Sequence, residues 1–567
     1  MATMIDSYVE LRCRSAFSFL DGASLPEDLV AAAVAGGHET LALSDFGGLY
    51  SAPRFFAAAR KAGLRPIVGA EIALPASPSS PAPPLLLLVE DRRGYRNLCR
   101  LITRMKQGRG KGEGAATMDM LAEHAAGLIA LLGPAPRADA ADLAARFGPG
   151  RAFLEVQRHL DADEERQNRA VLAQAAACGL PVVATNDVRY ATVDRSPTHD
   201  VLTCIRAGLT VDEIGRRLPR NAERFLKPPA EMAALFADLP AAVACSHEIA
   251  ERCTFTLSDL GYAFPCYPVP DGETQQSFLE AMTWQGAAAR YQPMTDKVRA
   301  QLVHELRIIG KLDLAGYFLV VWDIVIFARS RGIMVQGRGS AANSATCYAL
   351  GITAVDPVGM ELLFERFLSE ERVKSSCSIA DRMPDIDLDL PSGAEREQVI
   401  QHVYRKYGAH GAAMTANVIT YRPRLAVRDC GRALGFSEEQ LARISKLLPG
   451  FVVPDDKPLS AFLAEAGFPN ADERTRLLAR LGTSLLNLPR HLGQHSGGMV
   501  LASGRLDEVV PIEPASMPGR AVVQWDKDDC ADLGLIKVDL LGLGMLAVLE
   551  DSATLIRTHH GVAIDYA

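Results

Sequence analysis

From Leu25 to about Asp187 the hydrophobic pattern switches repeatedly between a helical and an extended period, and this restricts the possible folds more than anything else in the chain. The periodicity predicts helices over 29–35, 52–62 and 164–178, and strands over 40–45, 66–72, 85–90, 128–132, 153–156 and 181–186. Strands separated by helices pair in parallel through crossovers, so the series predicts an α/β sheet closed into a barrel. Asp45, Glu71, Glu90, Glu155 and Asp187 end these strands, and a parallel barrel gathers such residues at one mouth, where barrel enzymes keep metals. The same carboxylates would serve equally as caps for the helices that follow.

At 567 residues the chain has room for about three or four domains of roughly 150 residues each. FPCYPVPDGE, residues 264–273, reads as a linker, after which helical periodicity over 274–291 and 297–312 opens a second unit. A largely helical insert is expected over 438–486. With 48% hydrophobic and 23% charged residues the chain is neither disordered nor fibrous. Its longest apolar run, 317–328, is broken by Asp323, so no membrane-spanning helix is expected. The start carries Asp6, Glu10, Arg12 and Arg14, unlike a secretory signal, and the eleven cysteines form no Cys-x-x-Cys pair. The expectation is a soluble, cytoplasmic protein with reduced thiols. A net charge of -8 gives no overall attraction for nucleic acid, so any such contact must come from local basic patches.

Four segments carry chemistry. In Pro384-Asp385-Ile386-Asp387-Leu388-Asp389-Leu390 the strict alternation puts three aspartates on one face of a strand and the apolar residues on the other. Carboxylates so close repel one another unless divalent cations neutralise them, and Mg²⁺ suits such oxygen ligands. Leu535-Ile536-Lys537-Val538-Asp539-Leu540 repeats the alternation, with Lys537 and Asp539 on one face. Paired, the two strands would supply the carboxylates of a two-metal phosphoryl-transfer centre; separately, each reads equally as a solvated strand face. Gly337-Arg338-Gly339-Ser340-Ala341-Ala342-Asn343-Ser344 precedes a helix-like run and would let backbone N–H groups approach a phosphate, though it lacks the Gly-Lys-Ser/Thr of a Walker loop and an ordinary tight turn fits too. Between the acidic strands, residues 402–432 hold six Lys/Arg against the single acid Asp429. Arg424, Arg428 and Arg432 recur every four residues, as a phosphate-tracking stripe or a solvated helix face would.

Taken in order, GRGSAANS, FERFLSEERV, PDIDLDL, HLGQHSGGMVLA, QWDKDD and LIKVDLLGLGML resemble the bacterial family C DNA polymerases, the polymerase III alpha-subunit family. GRGSAANSATCYALGITAVDP and NVITYRPRLAVRDCGRALG look most like its error-prone, damage-inducible branch. The resemblance covers essentially the whole chain. It implies a polymerase-and-histidinol-phosphatase (PHP) barrel over 1–264, a polymerase-beta-like palm over 265–420 and 500–567 running into the start of the fingers, and a helical thumb inserted over 421–499. It further implies Asp387, Asp389 and Asp539 as catalytic ligands for two Mg²⁺ ions, with Asp385 in support. Gly339 and Ser340 would grip the incoming triphosphate, with Arg338, Arg366, Arg372 and Lys537 as secondary candidates for phosphate contacts; the stripe of Arg424, Arg428 and Arg432, read from its spacing, is the candidate DNA contact. The implied partners are primer-template DNA and deoxynucleoside triphosphates, and, in full-length relatives, a sliding clamp and damage-tolerance accessory proteins.

Two departures from the family pattern bear on function. Where metal-competent PHP members read His-x-His, this chain has Arg12-Cys13-Arg14; Phe46 and Arg189 replace two further histidines. Glu71, Asp187 and His199 remain. Arginines in ligand positions repel a cation, so the barrel's metal site is expected to be lost, together with any nuclease or phosphatase activity. The chain also stops at Ala567, just past the expected palm, whereas family members continue through fingers, so activity of the chain alone is an open expectation. The alternatives are a non-catalytic DNA-binding or scaffold fragment and a PHP-type metal phosphoesterase.

Overall fold

The computed structural model describes residues 8–75, 83–110, 112–258, 260–369, 383–454, 456–468 and 472–564. Arg372 lies outside them. The chain divides into two compact units, residues 1–258 with 418–493 and residues 259–417 with 494–567.

The first unit is built on a six-stranded sheet in sequence order: β1 (Thr40–Phe46), β2 (Arg65–Ile72), β3 (Leu85–Val89), β4 (Leu128–Leu131), β5 (Ala152–Val156) and β6 (Val182–Ala184). Local chemistry sets the intervening helices. Gly63, at φ +73°, ends helix Ala52–Ala62, and the Asp91 carboxylate accepts the Gly94 N–H at 2.8 Å to start helix Arg92–Lys106. Pairing is parallel from β1 to β2 and from β4 through β6, but β3 runs antiparallel to both of its neighbours. The wholly parallel sheet expected from the alternation is therefore corrected to a mixed one. The sequence between β2 and β3 is Pro/Ser-rich, a composition that disfavours the crossover helix a parallel pairing requires.

Residues just before β1 complete the curl. Glu10 bridges Leu41 and Cys13 bridges Val188, both in parallel, so this segment lies between β1 and the chain leaving β6. Val9, Leu11, Ala42, Ile67, Leu86, Leu88, Ile129 and Leu131 fill the interior. The four helices Pro423–Ala433, Glu438–Leu447, Leu459–Glu465 and Glu473–Leu485 belong to the same unit. They share one core with helix Ser196–Ala207, in which Val201 and Leu202 pack with Ala426, Val427, Cys430 and Leu478. Val211 N–H donates to Ala433 O at 2.8 Å, and the Thr198 and Ser484 hydroxyls meet at 2.8 Å.

The second unit contains β7 (Gln336–Arg338), β8 (Asp387–Pro391), β9 (Ala412–Thr420), β10 (Pro489–Leu501), β11 (Ile512–Pro514), β12 (Ala521–Asp526) and β13 (Lys537–Leu543). They form one seven-stranded sheet in the order β11-β12-β9-β10-β13-β8-β7. β9 and β10 run on past the unit and carry the chain into and out of the four-helix insert. Helix Ala315–Ser330 buries Tyr317, Phe318, Leu319, Val320 and Val321, which explains its near-continuous apolar run. Among the described residues no helix is long and apolar enough to cross a membrane.

Candidate metal and nucleotide centre

The alternation of the PDIDLDL segment becomes geometry in β8. Ile386, Leu388 and Leu390 are fully buried on one face, while Asp387 and Asp389 project from the other. β13 pairs in parallel with β8 and sets Asp539 directly beside Asp387. β7 pairs antiparallel on the other side and sets Arg338 beside Asp387 and Gln336 beside Asp389. Asp385, Asp387 and Asp539 each present an oxygen within 4.8 Å of the others. Asp389 stands one pleat further along and outside that trio; Arg338 Nε lies 3.3 Å from Asp389 Oδ1 and 3.4 Å from Asp387 Oδ2. Lys537 Nζ donates to Asp539 Oδ2 at 2.5 Å and to Asp385 Oδ1 at 3.3 Å.

The electrostatics are those of a site short of positive charge. Burial, then the charges of Asp385 and Asp539, raise the Asp387 carboxyl above the ordinary range, and burial raises Asp389 against the pull of Arg338. Burial would lower Lys537, but its bond to Asp539 and the charges of Asp539 and Asp385 hold it above the usual lysine value. Among the described residues Asp539 Oδ1 is buried without a hydrogen-bond partner, and Asp389 Oδ1 has only the 3.3 Å approach of Arg338 Nε. A buried carboxylate oxygen without a donor fits a hard cation held by oxygen ligands, so these residues suit a divalent metal.

The glycine-rich segment is anchored just beyond the carboxylates. Gly337 has no room for a side chain, since a Cβ there would lie 2.7 Å from Ile352 O. Gly339, at φ +71°, turns the chain out of β7 into a 3₁₀ turn, Gly339–Asn343. Asn343 Nδ2 donates to Ser340 O at 2.9 Å, and Glu305, fully buried, accepts from Ser344 Oγ and the Ala345 and Thr346 N–H groups. The turn is thus held from below while Gly339 is exposed and Ser340 half-buried.

Other expected contacts are placed differently. Arg366 is exposed in the turn Phe364–Arg366, and no ion pair joins it to the carboxylates among the described residues. Arg424, Arg428 and Arg432 are exposed along their helix, but the next helix supplies the acid that the local sequence lacks: Glu438 pairs with Arg432 at 2.5 Å and with Arg428 at 3.7 Å. Arg424 Nε donates to Leu448 O at 3.0 Å. One motif residue with no assigned role, His495, also reaches this centre, and only the strand register reveals it.

In the first unit the strand-end carboxylates meet guanidinium groups. Arg12 forks onto Glu155 at 2.6 and 2.8 Å and also pairs with Glu71, which Arg14 shares. Asp187 pairs with Arg189 at 2.9 Å and with Arg224. Asp45 is held instead by the hydroxyls of Ser15, Ser18 and Ser51. Glu90 departs from the expected mouth because β3 is reversed; it pairs with Arg151 at 2.9 Å and Arg252 at 3.0 Å. His199 Nε2 lies 3.9 Å from Asp21 and has no hydrogen-bond partner among the described residues. Guanidinium groups thus pair with Glu71, Glu90, Glu155 and Asp187, while Asp45 is held by hydroxyls.

Residues 277–542 match the family described as bacterial DNA polymerase III alpha NTPase domain, and residues 10–159 match the PHP domain. The chain is 43% identical over 585 residues to an error-prone DNA polymerase of Mycobacterium bovis, covering 99% of this chain and 52% of that protein. It is 41% identical over 646 residues to one from Anaeromyxobacter sp. (strain K), covering 97% and 55%. It is 44% identical over 547 residues to one from Methylococcus capsulatus, covering 96% and 50%. The chain therefore spans about half the length of these curated relatives. With its two domain matches and this identity along nearly all its length, the chain belongs to the bacterial family C DNA polymerases, in the error-prone branch.

Proposed function

We propose that this chain carries the nucleotidyl-transfer centre of a DNA-directed DNA polymerase acting in error-prone, damage-induced synthesis. The observation that carries the reading is the pairing of Asp387 with Asp539 across β8 and β13, with Asp389 on the same face and Asp539 Oδ1 buried with no hydrogen-bond partner among the described residues. The reaction is attack of a primer 3′ hydroxyl on the α-phosphate of a deoxynucleoside triphosphate, with pyrophosphate leaving. Asp387, Asp389 and Asp539 would hold two Mg²⁺ ions, which, when bound, acidify the hydroxyl and neutralise the leaving group. Arg338 keeps a positive charge beside the carboxylates and the glycine turn, where triphosphate oxygens would lie. Lys537, charged throughout the neutral range, fixes the orientation of Asp539. Gly339 and Ser340 offer backbone N–H groups on a turn with no side chain in the way. Arg366 and Arg372 are assigned to phosphate, and Arg424, Arg428 and Arg432 to the DNA backbone.

For the barrel we propose that metal binding is lost, because Arg12 and Arg14 hold Glu71 and Glu155 with guanidinium groups. Primer-template DNA, a sliding clamp and accessory proteins complete the proposed setting, in the cytoplasm, with the barrel, palm and thumb divided as the resemblance implies. The test is pyrophosphate release from deoxynucleoside triphosphates on a primed template with Mg²⁺. Asp387→Asn and Asp539→Asn are expected to abolish it. Release that persists in both variants overturns the assignment.

A further inference from the structure

His495 lies on β10, which runs antiparallel to β13 and pairs Gly498 directly with Asp539. Its ring folds back on its own strand. Nδ1 accepts the Gly498 N–H at 2.8 Å and the Gly497 N–H at 3.2 Å. With Nδ1 an acceptor for two donors, the ring proton is on Nε2. Thr415, fully buried on β9, donates its hydroxyl to Gly498 O at 3.2 Å, so the glycine's peptide groups are held on both sides.

The Gly498 position is crowded by these groups. A Cβ there would lie 2.6 Å from Thr415 Oγ1, 3.0 Å from Asp539 Oδ1 and 3.1 Å from His495 Nδ1. At Gly497 a Cβ would lie 2.6 Å from the Leu541 side chain. Both glycines are required for close approach, and both are residues whose backbone is restrained by no side chain of their own. Asp539 Oδ1, which has no hydrogen-bond partner among the described residues, thus rests against a stretch of backbone whose placement depends on the His495 ring.

We propose that His495 is a positioning residue for the cation centre. Its Nδ1 pins the Gly497–Gly498 backbone against Asp539 and so keeps that carboxylate aimed at the metal. This rests on the carboxylate cluster being the metal centre. Outer-shell partners that orient a ligand are worth about 10- to 100-fold in metal affinity.

The test is Mn²⁺ binding to the full 567-residue chain, without DNA or nucleotide, read from the free-ion electron paramagnetic resonance signal. Asparagine places its amide oxygen near the position of Nδ1 and keeps the acceptor; glutamine reaches toward Nε2 and does not. His495→Ala and His495→Gln are expected to weaken binding about 10-fold, while His495→Asn stays within about 2-fold of the parent. Equal binding by His495→Ala and the parent overturns the proposal, as does His495→Asn binding as weakly as His495→Gln. If His495→Ala does not fold, the Asn and Gln variants decide alone. Asp539→Asn separates the two levels. If it binds as well as the parent, the metal-centre reading falls and the proposal with it; if it weakens binding while His495→Gln does not, only the role of His495 is refuted.

Discussion

Replacing Arg12 by methionine removes a cation and leaves the volume nearly filled. Arg12 is 3% exposed and its partners Glu71 and Glu155 are fully buried. Burial alone would lower the guanidinium, but the charges of Glu155 and then Glu71 hold it above its ordinary value, so the charged group is strongly bound in the folded chain. Arg14 still serves Glu71 in the variant, whereas Glu155 loses its guanidinium partner and keeps only the Thr185 hydroxyl at 3.0 Å. Removing one member of a buried pair costs about 3–5 kcal/mol, mostly because a charge is left uncompensated. For a unit of this size that lowers the melting temperature by on the order of 10 °C. Differential scanning calorimetry of the whole chain at neutral pH measures it. Adding Glu155→Gln should recover part of the loss, as coupled neighbours do. A loss below about 1 kcal/mol would refute the view that the Arg12 guanidinium neutralises these buried carboxylates.

Three further outcomes are expected. Burial and neighbouring charge hold Asp387, and burial holds Asp389, above the ordinary carboxylate range, so the folded metal-free chain takes up protons before the unfolded chain does. Their ionised forms therefore destabilise it fully above the folded pKa, and this cost disappears as pH falls toward the unfolded value; Asp389→Asn should melt higher than the parent at neutral pH in chelator, and the gap should close on acidification. Glu438→Gln, which removes an acidic partner from Arg428 and Arg432, should tighten DNA binding at low salt and steepen its salt dependence, measured by fluorescence anisotropy. Leu478→Ala, in the core shared by the helical insert and helix Ser196–Ala207, should cost about 2–5 kcal/mol in urea unfolding, and a loss below 1 kcal/mol would mean the insert is not part of that core.

Much of the fold was readable because short-range pattern decided it. Helix Ala52–Ala62 and strand β2 appear where the periodicity puts them, and residues 387–390 of PDIDLDL are strand, with Asp385 just ahead of them. What escaped was set by long-range partners. The antiparallel pairing of β3 with β2 is not announced by the alternation, and that reversal moved Glu90 away from the other strand-end acids. Glu438 neutralises the arginine stripe from a different helix, so the local count of acids missed it. His495 could be found only through register, because nothing near it in sequence announces that Gly498 will face Asp539. The arginines of the barrel were legible as departures from a pattern, but their shared hold on Glu71 was not.

The most direct test is primer extension by the 567-residue chain on a primed DNA template with Mg²⁺ and all four deoxynucleotides, beside Asp389→Asn. The account predicts extension by the parent chain and none by the variant. Extension by both would place the chemistry elsewhere, and none by either, with primer-template bound, would show that this half-length chain is not itself a working polymerase.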